Sequence, residues 1–230
     1  MKPSQFSLFG FGIRIEIFFG LLAAWVMASF SPDYVRGAAI VAAVGASILV
    51  HELGHAFAFR HYGFESSIVL HGLGGYTMPV QGTRLSNGQD LVVSLAGPFT
   101  QIVGLGLPAL LISRQGTFTG TADVVVRSLV WFNLLWGAVN LLPVLPLDGG
   151  NIFFRGASIL TQKNQIQLAR LVSAAVAIPV GLAAYFMGYV FVTLGAGYFA
   201  VSNLMEWSNF RKPPSARPAP RGFSVPPPPE

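Results

Sequence analysis

Residues 37–59 read GAAIVAAVGASILVHELGHAFAF, and this stretch decides how the rest of the chain is interpreted. It contains one charged residue, Glu52, and it is long enough to cross a membrane, because a hydrocarbon core about 30 Å thick needs roughly 20 apolar residues in a helix. Inside it lies the motif HELGH at residues 51–55. Ionisable side chains within an apolar span are costly to bury and usually mark function. The stretch therefore predicts a membrane helix that carries a functional site.

The composition of the whole chain agrees with a membrane protein. Of 230 residues, 53% are hydrophobic and 10% are charged, whereas a typical soluble domain has about 25% charged residues. This excludes an ordinary soluble globule and a disordered chain. Cysteine is absent, so a bound metal must use His and carboxylate ligands. The net charge of +5 comes from basic residues that form no stripe, so we expect no nucleic-acid partner.

Other apolar segments predict the remaining spans. Residues 91–113 and 128–147 contain no charged residue. Residues 17–32 form a shorter first span, for which a signal peptide is the less favoured interpretation, because the small-residue cleavage pattern is poor. Residues 171–205 are too long for one span and predict two, joined by a turn at residues 187–188.

Positive charge decides between five and six spans, because cytoplasmic loops retain Lys and Arg. Five spans divide the basic residues seven against seven, whereas six spans leave only Arg36, Arg114 and Arg127 outside and put eleven inside. The eleven are Lys2, Arg14, Arg60, Arg84, Arg155, Lys163, Arg170, Arg211, Lys212, Arg217 and Arg221. We therefore expect an all-α, multi-pass protein of a cell membrane, with about six transmembrane helices and both termini in the cytoplasm.

The HELGH motif places two histidines on one helix face. Residues four apart have Cβ atoms about 5 to 6 Å from each other, so His51 and His55 can both bind one zinc ion. Glu52 then lies beside the metal, where it can accept a proton from a zinc-bound water. The alternative is a helix whose satisfied polar side chains face a neighbouring helix.

A catalytic zinc usually has three protein ligands, and Asp148 is the candidate for the third. It follows the fourth span in residues 140–150, NLLPVLPLDGG. With six spans, the second and fourth run in the same direction, so His55 and Asp148 meet near the cytoplasmic face. The prolines interrupt the helix, and the two glycines provide backbone freedom that lets Asp148 turn toward a metal. An ordinary turn is the alternative.

The combination of HELGH in one span and NLLPVLPLDGG at the end of another resembles the site-2 protease family, peptidase family M50, of intramembrane zinc metalloproteases. The resemblance implies that Glu52 is the catalytic general base. It implies the zinc ligands His51, His55 and Asp148. It also implies a three-helix catalytic core at about residues 37–150, with transmembrane protein substrates as partners in the lipid bilayer.

The sequence SLAGP at residues 94–98 resembles the small-residue stretch on the third span of that core. Ala96 and Gly97 favour close helix packing, because small residues let backbones approach. The chain has Gln101 where the family often has Asn, so the resemblance assigns no polar role at this position.

Residues 60–88 contain several residues suited to strands. A protease that cuts a transmembrane helix must first hold it extended, and an edge strand could do this by strand addition. The family resemblance implies such a strand, and a Gly-rich interfacial loop is the alternative. His61 and His71 lie in this segment as weaker candidates for contact with the site.

Asn140 lies eight residues before Asp148, about two helical turns away on a similar face. It is a candidate substrate-binding residue that donates a hydrogen bond to a substrate carbonyl or an oxyanion. A hydrogen bond to a neighbouring helix is the alternative.

The chain is interpreted as a membrane metalloprotease domain at residues 1–210 and a tail at residues 211–230, which holds eight of the sixteen prolines. Such proline density predicts a disordered cytoplasmic tail, with partner docking as the less favoured role. For the membrane domain, the sequence predicts intramembrane proteolysis. A zinc- or proton-coupled transporter and an inactive substrate-binding scaffold are the alternatives.

Overall fold

The structure is a computed structural model that describes residues 6–72, 74–80 and 84–211. Helices dominate these ranges, accompanied by one small sheet. Four helical stretches are long and apolar enough to cross a membrane, residues 34–61, 87–115, 120–140 and 166–186. The predicted tail lies outside the described residues except for Arg211, where the last helix ends.

The N-terminal elements are a strand hairpin and two helices. They are β1 (Phe6–Leu8), β2 (Phe11–Ile15), α1 (Ile17–Ala28) and α2 (Tyr34–His61). Helix α2 begins after Asp33, whose side chain accepts a hydrogen bond from the backbone N–H of Arg36 at 3.0 Å. It ends just before Gly63, whose φ of +80° suits the left-handed turn that often follows a helix.

The strand prediction for residues 60–88 is confirmed. The segment forms β3 (Ser66–His71) and β4 (Gly74–Pro79), which join β1 and β2 in one sheet of order β1-β2-β3-β4. The β2–β3 pair is parallel, and the two outer pairs are antiparallel. The sequence analysis did not predict β1 and β2, because these short strands directly precede the first apolar segment.

One face of the sheet packs against the C-terminal half of α2. The two elements share a buried hydrophobic cluster of Phe11, Ile13, Leu53, Ala56, Ile68 and Leu70. Because Leu53 belongs to the HELGH motif, the sheet lies directly against the predicted site.

Two of the long helices contain a π-helical segment. The first consists of α3 (Asn87–Phe99), a π segment (Thr100–Gly106) and α4 (Leu107–Gln115). The second consists of α5 (Gly120–Trp131), a π segment (Phe132–Trp136) and α6 (Gly137–Asn140). The two helices pack closely at a glycine of the first π segment and at the glycine that follows the second. A Cβ on Gly106 would lie 2.7 Å from Leu134, and a Cβ on Gly137 would lie 2.7 Å from Ile102. Such segments are often found at functional sites.

The last elements are α7 (Asp148–Thr161), α8 (Ile166–Phe186) and α9 (Val190–Arg211). The predicted turn at residues 187–188 is confirmed, and Gly188 there has a φ of +79°. Helices α8 and α9 pack together as a hairpin, and most of the residues that they bury are small. The small buried residues are Ala169, Ser173, Ala174, Ala177, Gly181, Ala184, Ala196 and Ala200.

The hairpin α8–α9 also holds the loop that precedes α7. The backbone N–H of Leu145 donates to Ser173 Oγ at 2.8 Å, and Asn203 Nδ2 donates to the carbonyl of Leu145 at 2.8 Å. The hairpin therefore fixes the backbone three residues before Asp148.

The structure changes the bounds of one predicted span, and the total of six spans stays a prediction. The span predicted at 128–147 ends early, at Asn140, because Pro143 disfavours helical geometry in the residue before it. Helix α1 has 12 residues, about 18 Å, which is shorter than the hydrocarbon core. Helix α9 is not among the four helices that qualify as spans by length and apolarity.

Large apolar side chains cover the outside of the helices. Ile17, Phe186 and Phe191 are 82 to 83% exposed, and many others are exposed beside them. Contiguous apolar surface of this kind marks contact with lipid or with other proteins. The exposed surface and the four apolar helices together identify a membrane protein.

Candidate metal centre

The structure brings the predicted ligands together. His51 and His55 lie one turn apart on α2, both buried, with their ring centroids 4.8 Å apart. Their Nε2 atoms approach each other to 3.1 Å. Asp148 Oδ2 lies 3.1 Å from His51 Nε2, and Asp148 Oδ1 lies 3.5 Å from His55 Nε2. The three side chains therefore point into one common space.

These distances fit a bound metal ion. A zinc–nitrogen bond is 2.0 to 2.1 Å long, so two ligands of a tetrahedral zinc lie roughly 3.3 to 3.4 Å apart. The two Nε2 atoms lie 3.1 Å apart, and they lie 3.1 and 3.5 Å from two different oxygens of Asp148. With one donor atom taken from each side chain, all three lie within 4.8 Å of one another. Lone pairs that face each other this closely repel unless a proton or a cation lies among them. Among the described residues, this is the one group of three or more such side chains that could hold a metal.

Asp148 reaches the site from the first turn of α7, where Leu147 is the N-cap residue. Burial raises the pKa of its carboxyl group, but without a metal, hydrogen bonds donated by protonated His51 and His55 outweigh burial and lower the pKa to about 2. A metal ion in the same space would replace those Nε2 protons and favour the same carboxylate anion.

The two glycines after Asp148 act differently from the prediction. They lie within α7 and are not in the left-handed region, so the prediction of backbone freedom is wrong. A Cβ on Gly149 would lie 2.2 Å from the backbone of Leu141, and a Cβ on Gly150 would lie 2.4 Å from the backbone N of Leu145. Glycine is needed because the start of α7 presses against the preceding loop.

The second ring nitrogens of both histidines are also hydrogen-bonded. His51 Nδ1 lies 2.9 Å from Gln101 Oε1, and His55 Nδ1 lies 2.7 Å from the carbonyl of Val93. Because carbonyl oxygens only accept, each Nδ1 carries a proton and each Nε2 can offer a lone pair to a metal. Sequence reasoning assigned no polar role to Gln101, and nothing in the pattern identifies Val93, which contributes only its backbone.

Glu52 is 3% exposed and faces β4. Thr77 Oγ1 lies 2.7 Å from Glu52 Oε2 and 3.0 Å from the backbone carbonyl of Glu52, so the hydroxyl donates to the carboxylate or to the carbonyl. A Cβ on Gly75 would lie 2.6 Å from Glu52 Cγ. Sequence reasoning did not single out Thr77 or Gly75, because the strand register that aims them at Glu52 is a tertiary feature.

The small residues of α3 permit these contacts. A Cβ on Gly97 would lie 2.3 Å from His55 Nε2 and 2.9 Å from His51 Nε2. On the other helix, a Cβ on Gly54 would lie 2.5 Å from the carbonyl oxygen of Ala96. The predicted close packing of α2 and α3 is confirmed, and Gly97 in addition leaves room for both imidazoles.

Of the three remaining candidates, Asn140 lies at the site, and His61 and His71 do not. Asn140 Nδ2 lies 3.5 Å from His51 Nε2, so the end of α6 reaches the ligands. His61 and His71 are not members of the metal-binding group. Their rings contact Tyr62 and Tyr76 instead, at centroid distances of 5.1 and 5.5 Å.

Comparison with known proteins supports this picture. Residues 109–186 match the model of peptidase family M50. The chain is 27% identical over 160 residues to a zinc metalloprotease of Methanocaldococcus jannaschii. This alignment covers 69% of this chain and 45% of that protein. It is 32% identical over 189 residues to Rip3 of Mycobacterium tuberculosis, which is also named as a zinc metalloprotease. That alignment covers 73% of this chain and 47% of Rip3. The chain thus spans less than half the length of these relatives.

The fold is similar to that of a solved site-2 protease from Methanocaldococcus jannaschii. The TM-score is 0.62 at 23% identity, and the match covers 88% of this chain and 93% of that one. The family match over residues 109–186, the relatives and the shared fold confirm the resemblance to peptidase family M50, the site-2 protease family, that the two motifs carry.

Proposed function

We propose that this chain is an intramembrane metalloendopeptidase that hydrolyses peptide bonds within or near the transmembrane segments of other membrane proteins. The observation that carries the proposal is the convergence of His51, His55 and Asp148 at the end of an apolar helix, with Glu52 between the two histidines in sequence. Zinc is the metal of the family, and we assign these three side chains as its ligands.

When bound there, zinc would polarise the scissile carbonyl and lower the pKa of water to about 7. Glu52 takes a proton from the attacking water as its oxygen bonds to the carbonyl carbon, and later gives that proton to the leaving nitrogen as the C–N bond breaks. The Thr77 hydroxyl donates to Glu52 Oε2 and holds the carboxylate in one orientation. Asn140, whose Nδ2 lies 3.5 Å from His51 Nε2, would donate to the oxygen that becomes negative.

Strand β4 is the proposed binding surface for the substrate. It pairs only with β3 among the described strands, so its other edge has unpaired backbone groups. A substrate helix that unfolds locally can pair with this edge, which places an extended peptide beside Glu52. The proposed catalytic core comprises residues 37–150. This range contains the helix with His51, Glu52 and His55, and it ends in the first turn of α7, which contains Asp148.

The experiment that tests the function compares the wild type with Glu52→Gln in detergent or proteoliposomes. We expect Glu52→Gln to retain about one zinc per chain and to lose all cleavage of model transmembrane substrates, because the amide cannot accept the proton. Asp148→Ala and the double variant His51→Ala, His55→Ala are expected to lose the zinc. Wild-type cleavage by Glu52→Gln would disprove the assigned base, and binding without any cut product in the wild type would favour the scaffold hypothesis.

The proposed orientation places both termini and the metal centre on the cytoplasmic side, as the excess of inside Lys and Arg requires. The chain has no cysteine, so single cysteines report sidedness without interference. An impermeant maleimide should label Arg114→Cys in intact cells and Lys163→Cys only after permeabilisation. The reverse pattern would contradict the orientation.

A further inference from the structure

Two buried carboxamides lie at equivalent places in the two π segments. Gln101 is the second residue of the first π segment, and Asn133 is the second residue of the other. Both side chains are fully buried, at 0% exposure. They reach the same face of α2 one turn apart, Gln101 at His51 and Asn133 at Ser47.

The orientation of the Gln101 amide follows from its two partners. Its Nε2 lies 3.5 Å from the carbonyl oxygen of Phe132, which can only accept a hydrogen bond. The amide nitrogen therefore faces Phe132, and Oε1 faces His51 Nδ1 at 2.9 Å. An oxygen at this position accepts, so His51 carries its proton on Nδ1 and keeps the lone pair of Nε2 free.

We propose that Gln101 is a positioning residue for metal binding, which fixes the tautomer and ring plane of His51 so that Nε2 is aimed at the metal. The inference rests on the ligand set of the proposed function. Partners of this kind commonly orient metal-bound histidines, and their loss typically costs 10- to 100-fold in metal affinity or activity. Gln101 is not a member of the metal-binding group, so it acts only through His51.

The two histidines differ in the group that accepts the hydrogen bond from Nδ1, which is a side chain for His51 and a backbone carbonyl for His55. His55 Nδ1 donates to a backbone carbonyl, that of Val93, which no substitution removes. His51 relies on the Gln101 side chain, which in turn depends on the π segment. The extra residue in the π-helical turn determines the direction in which the Gln101 side chain projects, so the π segment orients Gln101 toward His51.

Asn133 provides a matched control on the other π segment. Its Nδ2 donates to Ser47 Oγ at 2.9 Å and to the carbonyl of Leu129 at 2.7 Å, and it is not hydrogen-bonded to a metal ligand. If Asn133 is replaced, Ser47 still donates to the carbonyl of Ala43. Asn133→Leu therefore removes a buried carboxamide of the same class without touching the proposed positioning contact.

The test measures the zinc dissociation constant of purified, folded protein in detergent by competition with a chromophoric chelator, and uses no substrate. Gln101→Met keeps the length of the side chain and removes the acceptor, and we expect its zinc dissociation constant to rise 10- to 100-fold. Gln101→Asn keeps a carboxamide but shortens it by one methylene, and we expect a rise of about tenfold. Asn133→Leu should bind zinc within about threefold of the wild type, even where its melting temperature falls.

Wild-type zinc affinity in Gln101→Met would overturn the inference. If Gln101→Met does not fold, wild-type affinity in Gln101→Asn overturns it equally. An equal loss of affinity in Asn133→Leu would also overturn it, since the effect would then be a general response to a disturbed helix contact. Failure of the proposed function is separable, because it would appear as absence of zinc or of cleavage in the wild type itself.

Discussion

The second half of α2 and the hairpin α8–α9 are both apolar in sequence, yet they differ in what they bury. The second half of α2 buries His51, Glu52 and His55, each hydrogen-bonded to a different element. The hairpin buries mainly alanine, glycine and serine along its contact and exposes its large side chains. Apolar composition identifies a membrane segment, whereas buried ionisable side chains identify the segment that contains the candidate site.

The largest difference should appear between a methyl group added to a glycine that faces the second half of α2 and one added to a glycine of the hairpin. Gly97→Ala would place a Cβ 2.3 Å from His55 Nε2, so the imidazoles must move apart, and we expect the variant to lose zinc and activity. Gly195→Ala on α9 is the control, because no atom lies within 4 Å of the added Cβ. Zinc content by elemental analysis checks both. Full zinc occupancy in Gly97→Ala would show that the close contact at the ligands is not required.

A smaller effect is expected when a hydroxyl that contacts the second half of α2 and a hydroxyl of the hairpin are each removed. Thr77→Val deletes the donor to Glu52 Oε2, and a hydrogen bond to a charged group contributes about 1.5 to 3 kcal/mol, so kcat should fall about 10- to 100-fold while zinc content stays unchanged. Thr193→Val on α9 removes a hydroxyl that only bonds back to Tyr189 and should leave kcat unchanged. Unchanged kcat in Thr77→Val would mean that Glu52 needs no support from β4.

The smallest effect tests whether the hairpin is only a lipid-facing element. Asn203→Ala removes the hydrogen bond to the carbonyl of Leu145, in the loop that leads to Asp148. Hydrogen bonds between membrane helices average about 0.6 kcal/mol and reach about 1.7, so we expect a loss of that order in unfolding free energy. A parallel decrease in zinc affinity would show that the hairpin supports the metal centre. Unchanged stability would remove the proposed clamp on Leu145.

Sequence reasoning reached the site where spacing along a helix determines geometry. His51 and His55 are four residues apart on one helix face, and ionisable side chains in an apolar span usually mark function. It failed where tertiary packing decides. The two glycines after Asp148 were assigned flexibility, whereas the loop packed against α7 requires their small size. Thr77 was not singled out and Gln101 was assigned no polar role, because a strand register and a π-helical turn orient these side chains, and hydrophobic periodicity reveals neither feature.

The parallel pairing of β2 with β3 has a consequence for the order of assembly during synthesis. Parallel neighbours need a long connection, and here that connection consists of α1 and α2. The sheet that covers Glu52 cannot close until both helices have been placed. Asp148 follows later still, after α3 to α6. A nascent chain therefore contains Glu52, His51 and His55 before Asp148 has been made, and the complete metal-binding group forms only after most of the described protein has left the ribosome.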